Sequence, residues 1–244
     1  MDNNDRTALQ QVATVWDNAM SLLDRLNSSV SVTPKAGFSV LEHSTDFGFP
    51  NDICLRIKPV VFNLPEKASH ATDRSLFVML QGRITFDREL YKANKDLQAV
   101  AFSTEVGYFR QRKRALTHVF GAHFDMAPNE PGHPVYHGQI KSYSGWYEEF
   151  KGKAFFPENC ELSDSLGSIL ANVRIPSAHM DPFSYVLQLG ADHLIWRDSA
   201  PAEKRTFTEL RNVSMKIKGN ANKLAQFTPD ALKCLRSPHW YPAT

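Results

Sequence analysis

Leu9, Val12, Trp16, Met20, Leu23 and Leu26 recur at spacings of three and four residues, which predicts an amphipathic helix from Asp5 to Leu26 with Asn and Asp in its capping region. Asn27 to Gly37 is polar, contains Pro34 and Gly37, and predicts a loop. The period then drops to two. Short strands are predicted over Phe38–His43 and Ile53–Phe62, the latter with Ile53, Leu55 and Ile57 on one face and Arg56 and Lys58 on the other. Pro59 marks an edge position or a bulge, because it cannot donate to the ladder. Further strands are predicted over Leu76–Asp87, Gln98–Phe109, Ala115–Met126 and Pro134–Tyr143, with a helical or irregular stretch from Leu90 to Asp96. No crossover helices separate most of these runs, so an antiparallel meander follows.

The C-terminal part returns to helical spacing. Asp181-Pro182 supplies a cap and a first-turn proline, and Phe183, Val186, Leu187, Gly190, Leu194 and Ile195 form the buried stripe behind it. Thr228-Pro229-Asp230 repeats the start signal for a short final helix. The expected fold class is α+β, one domain over residues 1–244. It comprises an N-terminal helix (1–27), a long antiparallel β-meander of about six strands (38–143) and a C-terminal helical part (174–244), with the helices packed on one face of the sheet.

Composition supports a packed core: 42% of the 244 residues are hydrophobic, and sixteen Phe with fourteen Pro favour sheet and ordered loops over a bundle. The three cysteines, Cys54, Cys160 and Cys234, form no C-x-x-C pair, so neither a zinc knuckle nor a disulfide scaffold is indicated. The first residues, MDNNDRTALQQ, lack a basic and apolar leader, and no apolar run reaches the ~20 residues of a membrane span. The expected location is cytoplasmic. Net charge is +2, but residues 201–244 carry eight Lys/Arg against three acids, leaving the rest of the chain at −3. Such a basic segment suits a solvated helix face, or contact with phosphates or an acidic partner.

Candidate chemistry concentrates in Ala115 to Tyr143. Residues 127–133 (APNEPGH) predict a hairpin loop, and alternation sorts the flanking strands into two faces. Leu116, His118, Phe120, Ala122, Phe124, Met126, Pro134, Tyr136, Gly138 and Ile140 form the apolar face; His123, Asp125, His137, Gln139 and Lys141 lie on the polar one. A loop centred at Glu130 sets His123 opposite His137, Gly121 opposite Gln139 and Asp125 opposite Val135. If residues 110–114 are the preceding turn, Ala101 lies opposite His123, with Ser103 and Ala99 beside it.

Two imidazoles near a carboxylate can divide general base and general acid work, which suits phosphodiester cleavage, and of RNA in particular because its 2′-hydroxyl can be the nucleophile. The same trio, His123, Asp125 and His137, would be the ligands of a divalent metal, with His133 as a fourth ligand or mobile acid. Gln139, Arg174, Arg112 and Arg114 are the expected substrate contacts, the last two within the densest basic cluster of the chain. His118 reads as a core histidine, and so does His193, with Asp192 placed to orient it.

No G-x-G-x-x-G, Walker-type, G-x-S-x-G or H-E-x-x-H pattern occurs, which disfavours nucleotide-driven, dinucleotide-binding and serine-hydrolase chemistry. The leading expectation is an RNA-directed nuclease of toxin or defence type, although no residue speaks to that biological setting. The alternative is a non-catalytic binding or adaptor module acting on RNA or a protein through its sheet edge and basic C-terminal segment, with no membrane role.

Overall fold

The computed structural model describes residues 2–44, 51–64, 74–126, 136–153, 156–164, 174–176, 180–195 and 198–217, and of these only the backbone at 74, 136, 137, 164 and 174–176. The tip of the hairpin with His133, as well as His179, the helix expected at Thr228 and the basic chain beyond 217, lie outside the described residues.

The chain begins with α1 (Asn3–Leu26), whose Asp2 and Asp5 form a reciprocal capping box. The expected loop after it holds a short strand, β1 (Ser31–Thr33). Phe38–His43, expected as a strand, divides into one helical turn, α2 (Gly37–Val40), and β2 (Leu41–His43). The turn forms because Asp17 accepts a 2.7 Å hydrogen bond from the Gly37 N–H, and because Gly37 lies so close to α1 that a Cβ would meet the Ala13 carbonyl at 2.6 Å. Alternation therefore stops there, and Val40 and Leu41 are buried consecutively.

Then come β3 (Ile53–Leu64), β4 (Arg74–Phe86), α3 (Arg88–Asn94), β5 (Ala99–Arg112), β6 (Ala115–Met126) and β7 (Tyr136–Ile140), followed by α4 (Trp146–Phe150), β8 (Glu161–Asp164), β9 (Arg174–Pro176), α5 (Pro182–His193) and α6 (Pro201–Ser214). The strands form one sheet ordered β1-β3-β4-β5-β6-β7-β9, antiparallel along this path. β2 also pairs with β3, and β8 runs parallel to the start of β6. The α+β class, the meander and the terminal helices on one face of it are as the pattern predicts. Pro59 sits at a register shift between Ile57 and Val60, the bulge its missing N–H demands.

One face of the sheet carries Leu55, Phe62, Val78, Ile84, Phe102, Val106, Ala122 and Met126, and packs against α1, α5 and α6 in a single apolar cluster. Trp16 and Phe183 meet edge to face at 5.8 Å within it. The buried Asp5 carboxylate at the start of α1 meets Arg88 at 2.6 Å and His43 at 3.2 Å, tying α1 to α3 and β2. On the opposite face, a smaller cluster of Val61, Phe77, Met79, Phe109 and Leu116 lies under Tyr147, Phe150 and Phe156.

Candidate functional site

The β5–β6 hairpin turns on Lys113 and Arg114 alone, because Arg112 already pairs with Ala115. The five-residue turn expected over 110–114 is thus replaced by a two-residue turn, with Lys113 at φ +52°. That turn by itself would set odd residues of β5 against even residues of β6. It does so only as far as Phe109↔His118; a bulge then leaves Val119 unpaired, and from Tyr108↔Phe120 onward the partners differ. Glu105 consequently faces His123, and Ser103 faces Asp125. The expected neighbour of His123, Ala101, instead pairs with Thr85 on β4 without reaching β6, and Ala99 joins the core on the helix side.

The same bulge turns His118 and Leu116 away from the helices. Both are fully buried in the second face, where His118 meets the Phe109 ring at 5.0 Å and its Nε2 accepts the Tyr143 N–H at 3.4 Å. Phe120, expected in the core, is 37% exposed.

On the β7 side, His123 pairs with Gln139, Asp125 with His137, and Met126 with Tyr136. The expected opposition of His123 to His137 is corrected by two residues; the two positions are diagonal neighbours. Gly121 is likewise not opposite Gln139, nor Asp125 opposite Val135. A two-residue offset preserves the alternation, so the cluster keeps its place on the ladder. Arg174 of β9 pairs with Gln139. One row across the sheet therefore reads Gln81, Glu105, His123, Gln139, Arg174, and the next reads Arg56, Arg83, Ser103, Asp125, His137.

The geometry centres on His123, 21% exposed. Its Nε2 lies 2.5 Å from Asp125 Oδ1 and 3.3 Å from Ser103 Oγ, and its Nδ1 lies 3.8 Å from Glu105 Oε1. Glu105 in turn accepts a 2.5 Å hydrogen bond from the Gln81 amide and faces Lys141 Nζ at 3.6 Å. Nε2 thus faces Asp125 and Ser103, and Nδ1 faces Glu105. Ser103, sharing Nε2 with a carboxylate, has no free base beside it and is not an activated nucleophile in this arrangement.

Next to this row the sheet has no side chains: Gly107 pairs with Gly121. Tyr143 lies over that gap, stacked on Trp146 at 4.2 Å, with Lys141 Nζ 5.3 Å from the Tyr143 ring. A Cβ on Gly121 would stand 2.9 Å from Tyr143 Cδ2. Burial, reinforced by the Glu105 and Asp125 carboxylates, pushes the Tyr143 phenol far above its ordinary range. It is a permanent neutral neighbour of the site.

Arg112 and Arg114 stand at the opposite end of the hairpin. Eight residues of β6 separate Ala115 from His123, roughly 25 Å of strand, so these arginines and His123 do not share one small ligand. Arg174 lies two strands from His123, roughly 10 Å across the sheet. Among the described residues no group of three His, Cys, Asp or Glu is arranged to hold a metal ion, and the side chain of the third expected ligand, His137, lies outside the described residues. No described helix is long and apolar enough to cross a membrane.

Gln81 and the Tyr143–Trp146 pair are members of the site that pattern reading did not single out, while Lys141 and Glu105 were expected on the His123 face but not in contact with it. A two-residue turn at Lys113-Arg114 is the signal that brings Glu105 near His123. The bulge that completes the pairing has no such signal. No family model, curated protein or solved structure matches the chain.

Proposed function

We propose that the protein cleaves phosphodiesters in RNA by general acid–base catalysis. The observation that supports this reading is a partly exposed imidazole, His123, held by Asp125 at one ring nitrogen with Glu105 beyond the other, while Lys141 supplies a positive charge alongside. In this reading His123 removes the proton of a ribose 2′-hydroxyl and the 2′-oxygen attacks the adjacent phosphorus. The bond to the 5′-oxygen breaks, and that oxygen takes a proton from an acid on the far side, for which the diagonal ladder position of His137 is suited. The products are a 2′,3′-cyclic phosphate and a free 5′-hydroxyl. Asp125 fixes the ring and stabilises its protonated form after the transfer.

The experiment is incubation of the purified protein with single-stranded RNA at neutral pH, with and without added divalent cations, followed by analysis of the ends. Cleavage with cyclic-phosphate ends, lost in His123→Ala, is expected. RNA left intact by the wild type under every condition overturns the reading and favours a binding module.

A further inference from the structure

The row that holds Asp125 continues across β5 to β3 and ends in two arginines. Arg56 and Arg83 pair directly across β3 and β4, and Arg83 pairs with Ser103, the partner of Asp125. Arg83 is therefore two strand spacings from Asp125, roughly 10 Å, and Arg56 one spacing further. Both arginines are exposed, and Arg56 is held at 3.5 Å by Glu42, which also meets Lys58 at 3.5 Å. On the other side of His123 the ladder reaches the register position of Arg174, again two spacings away. Acidic and proton-transferring groups thus stand in the middle of a transverse band, with the Arg56 and Arg83 side chains toward one end. Along one border of the band run Lys141, Tyr143 and the half-buried Trp146.

We infer that the ligand of this band is a single-stranded RNA lying across the strands, its phosphates on one side of the scissile bond held by Arg56 and Arg83, with a base beside Trp146. This rests on the acid–base reading above. Charge placement favours a polyanion that enters at the arginine end of the band, where Arg56, Arg83 and Lys58 outnumber Glu42, and meets Glu105 and Asp125 at the reacting phosphate. The aromatic border favours unpaired bases, since only these offer a free face for stacking. The span from β4 to β9 is four strand spacings, roughly 20 Å, so the band accommodates several nucleotides rather than one.

The test separates binding from cleavage. Fluorescence anisotropy on the His123→Ala protein measures affinity for a labelled uridine oligonucleotide, for the same oligonucleotide annealed to its complement, and for polyglutamate as competitor. Tighter binding of the single strand is expected, with little displacement by polyglutamate. In the same background, Arg56→Glu/Arg83→Glu lowers affinity about tenfold at low salt and reduces the slope of log Kd against log salt by about one to two. The milder pair Arg56→Gln/Arg83→Gln lowers it less, and Arg205→Glu, exposed on α6, leaves it unchanged. Equal affinity in the Arg56/Arg83 variants, equal binding of duplex, or ready displacement by polyglutamate overturns the inference. If the wild type cleaves RNA and the arginine variants bind and cleave normally, the band fails and the acid–base reading stands. Arginine-dependent binding without any cleavage has the reverse meaning.

Discussion

Gly107 of β5 and Gly121 of β6 stand directly opposite each other, and the Tyr143 side chain lies over the gap they leave. The two glycines are not equivalent. A Cβ on Gly121 would sit 2.0 Å from the Lys141 carbonyl and 2.9 Å from Tyr143, whereas one on Gly107 would meet only side-chain atoms, none closer than 3.2 Å. The Lys141 contact is backbone, and Lys141 N–H also donates to the Gly121 carbonyl at 2.9 Å, so the chain after β7 must move to admit a methyl group. Gly121→Ala is expected to cost about 1–3 kcal/mol in urea unfolding, and Gly107→Ala less than about 1 kcal/mol. Equal costs would contradict the packing described.

The clamp at the start of α1 allows a comparison of buried and exposed ion pairs. Asp5 is 4% exposed and meets Arg88 at 2.6 Å, while Arg25 and Glu209 pair at 2.9 Å with more than half of each side chain in solvent. Arg88→Met strands a buried carboxylate with the His43 ring, at 3.2 Å, as its remaining side-chain partner and should cost about 3 kcal/mol. Arg25→Ala should cost less than about 1 kcal/mol. The double variant Arg88→Met/Asp5→Leu should recover part of the larger loss, because it removes the uncompensated charge as well as its partner. Denaturant midpoints at neutral pH measure all three.

The sheet was legible in the sequence because alternation is a backbone property: Phe102, Val106, Ala122 and Met126 fall on the helix side as their parity predicts. Register was less legible. His123 meets Glu105 rather than Ala101 because the two-residue turn and the one-residue bulge at Val119 both move the pairing in the same direction, and a bulge leaves no compositional mark in Thr117–Gly121. The bulge also explains why His118 and Phe120, two residues apart and expected on one face, lie on opposite faces. The helical turn at Gly37–Val40 was hidden for a different reason. It depends on Asp17 and Ala13, which are distant in sequence.

Within the site, the hydrogen-bonding order around His123 ranks its neighbours. With Asp125 at 2.5 Å holding Nε2, His123→Gln should lower kcat for RNA cleavage by about 10²–10⁴-fold, the usual contribution of a general base. Asp125→Asn should cause a smaller loss, because the ring stays in place while its protonated form loses a counter-charge. Ser103→Ala should change the rate by no more than a factor of a few, since its hydroxyl has no free base to activate it. Single-turnover rates on a labelled oligonucleotide provide the check. A Ser103→Ala loss as large as that of His123→Gln would make the serine a nucleophile and overturn the assignment of roles.

A second histidine should control acid stability. His193, at the end of α5, packs its ring 5.9 Å from Tyr108, whose hydroxyl lies 3.1 Å from that of Tyr185. Burial pushes Tyr108 up to about 12 and Tyr185 further, so neither phenol ionises near neutrality. Burial likewise lowers His193 below its ordinary value of 6.5, outweighing the opposing pull of Asp192. The sign follows from proton counting. Above about pH 6.5 the ring is neutral in both folded and unfolded chains and contributes nothing to pH dependence. As pH falls through that value the unfolded chain takes up a proton that the folded chain refuses, so stability declines until pH reaches the lowered folded value. His193→Gln removes this linkage. Between about pH 7.5 and pH 5.5 the urea midpoint of the wild type should fall by more than that of the variant. Parallel declines in the two proteins would show that His193 titrates as it does in water, and that its packing against Tyr108 leaves the ring solvated.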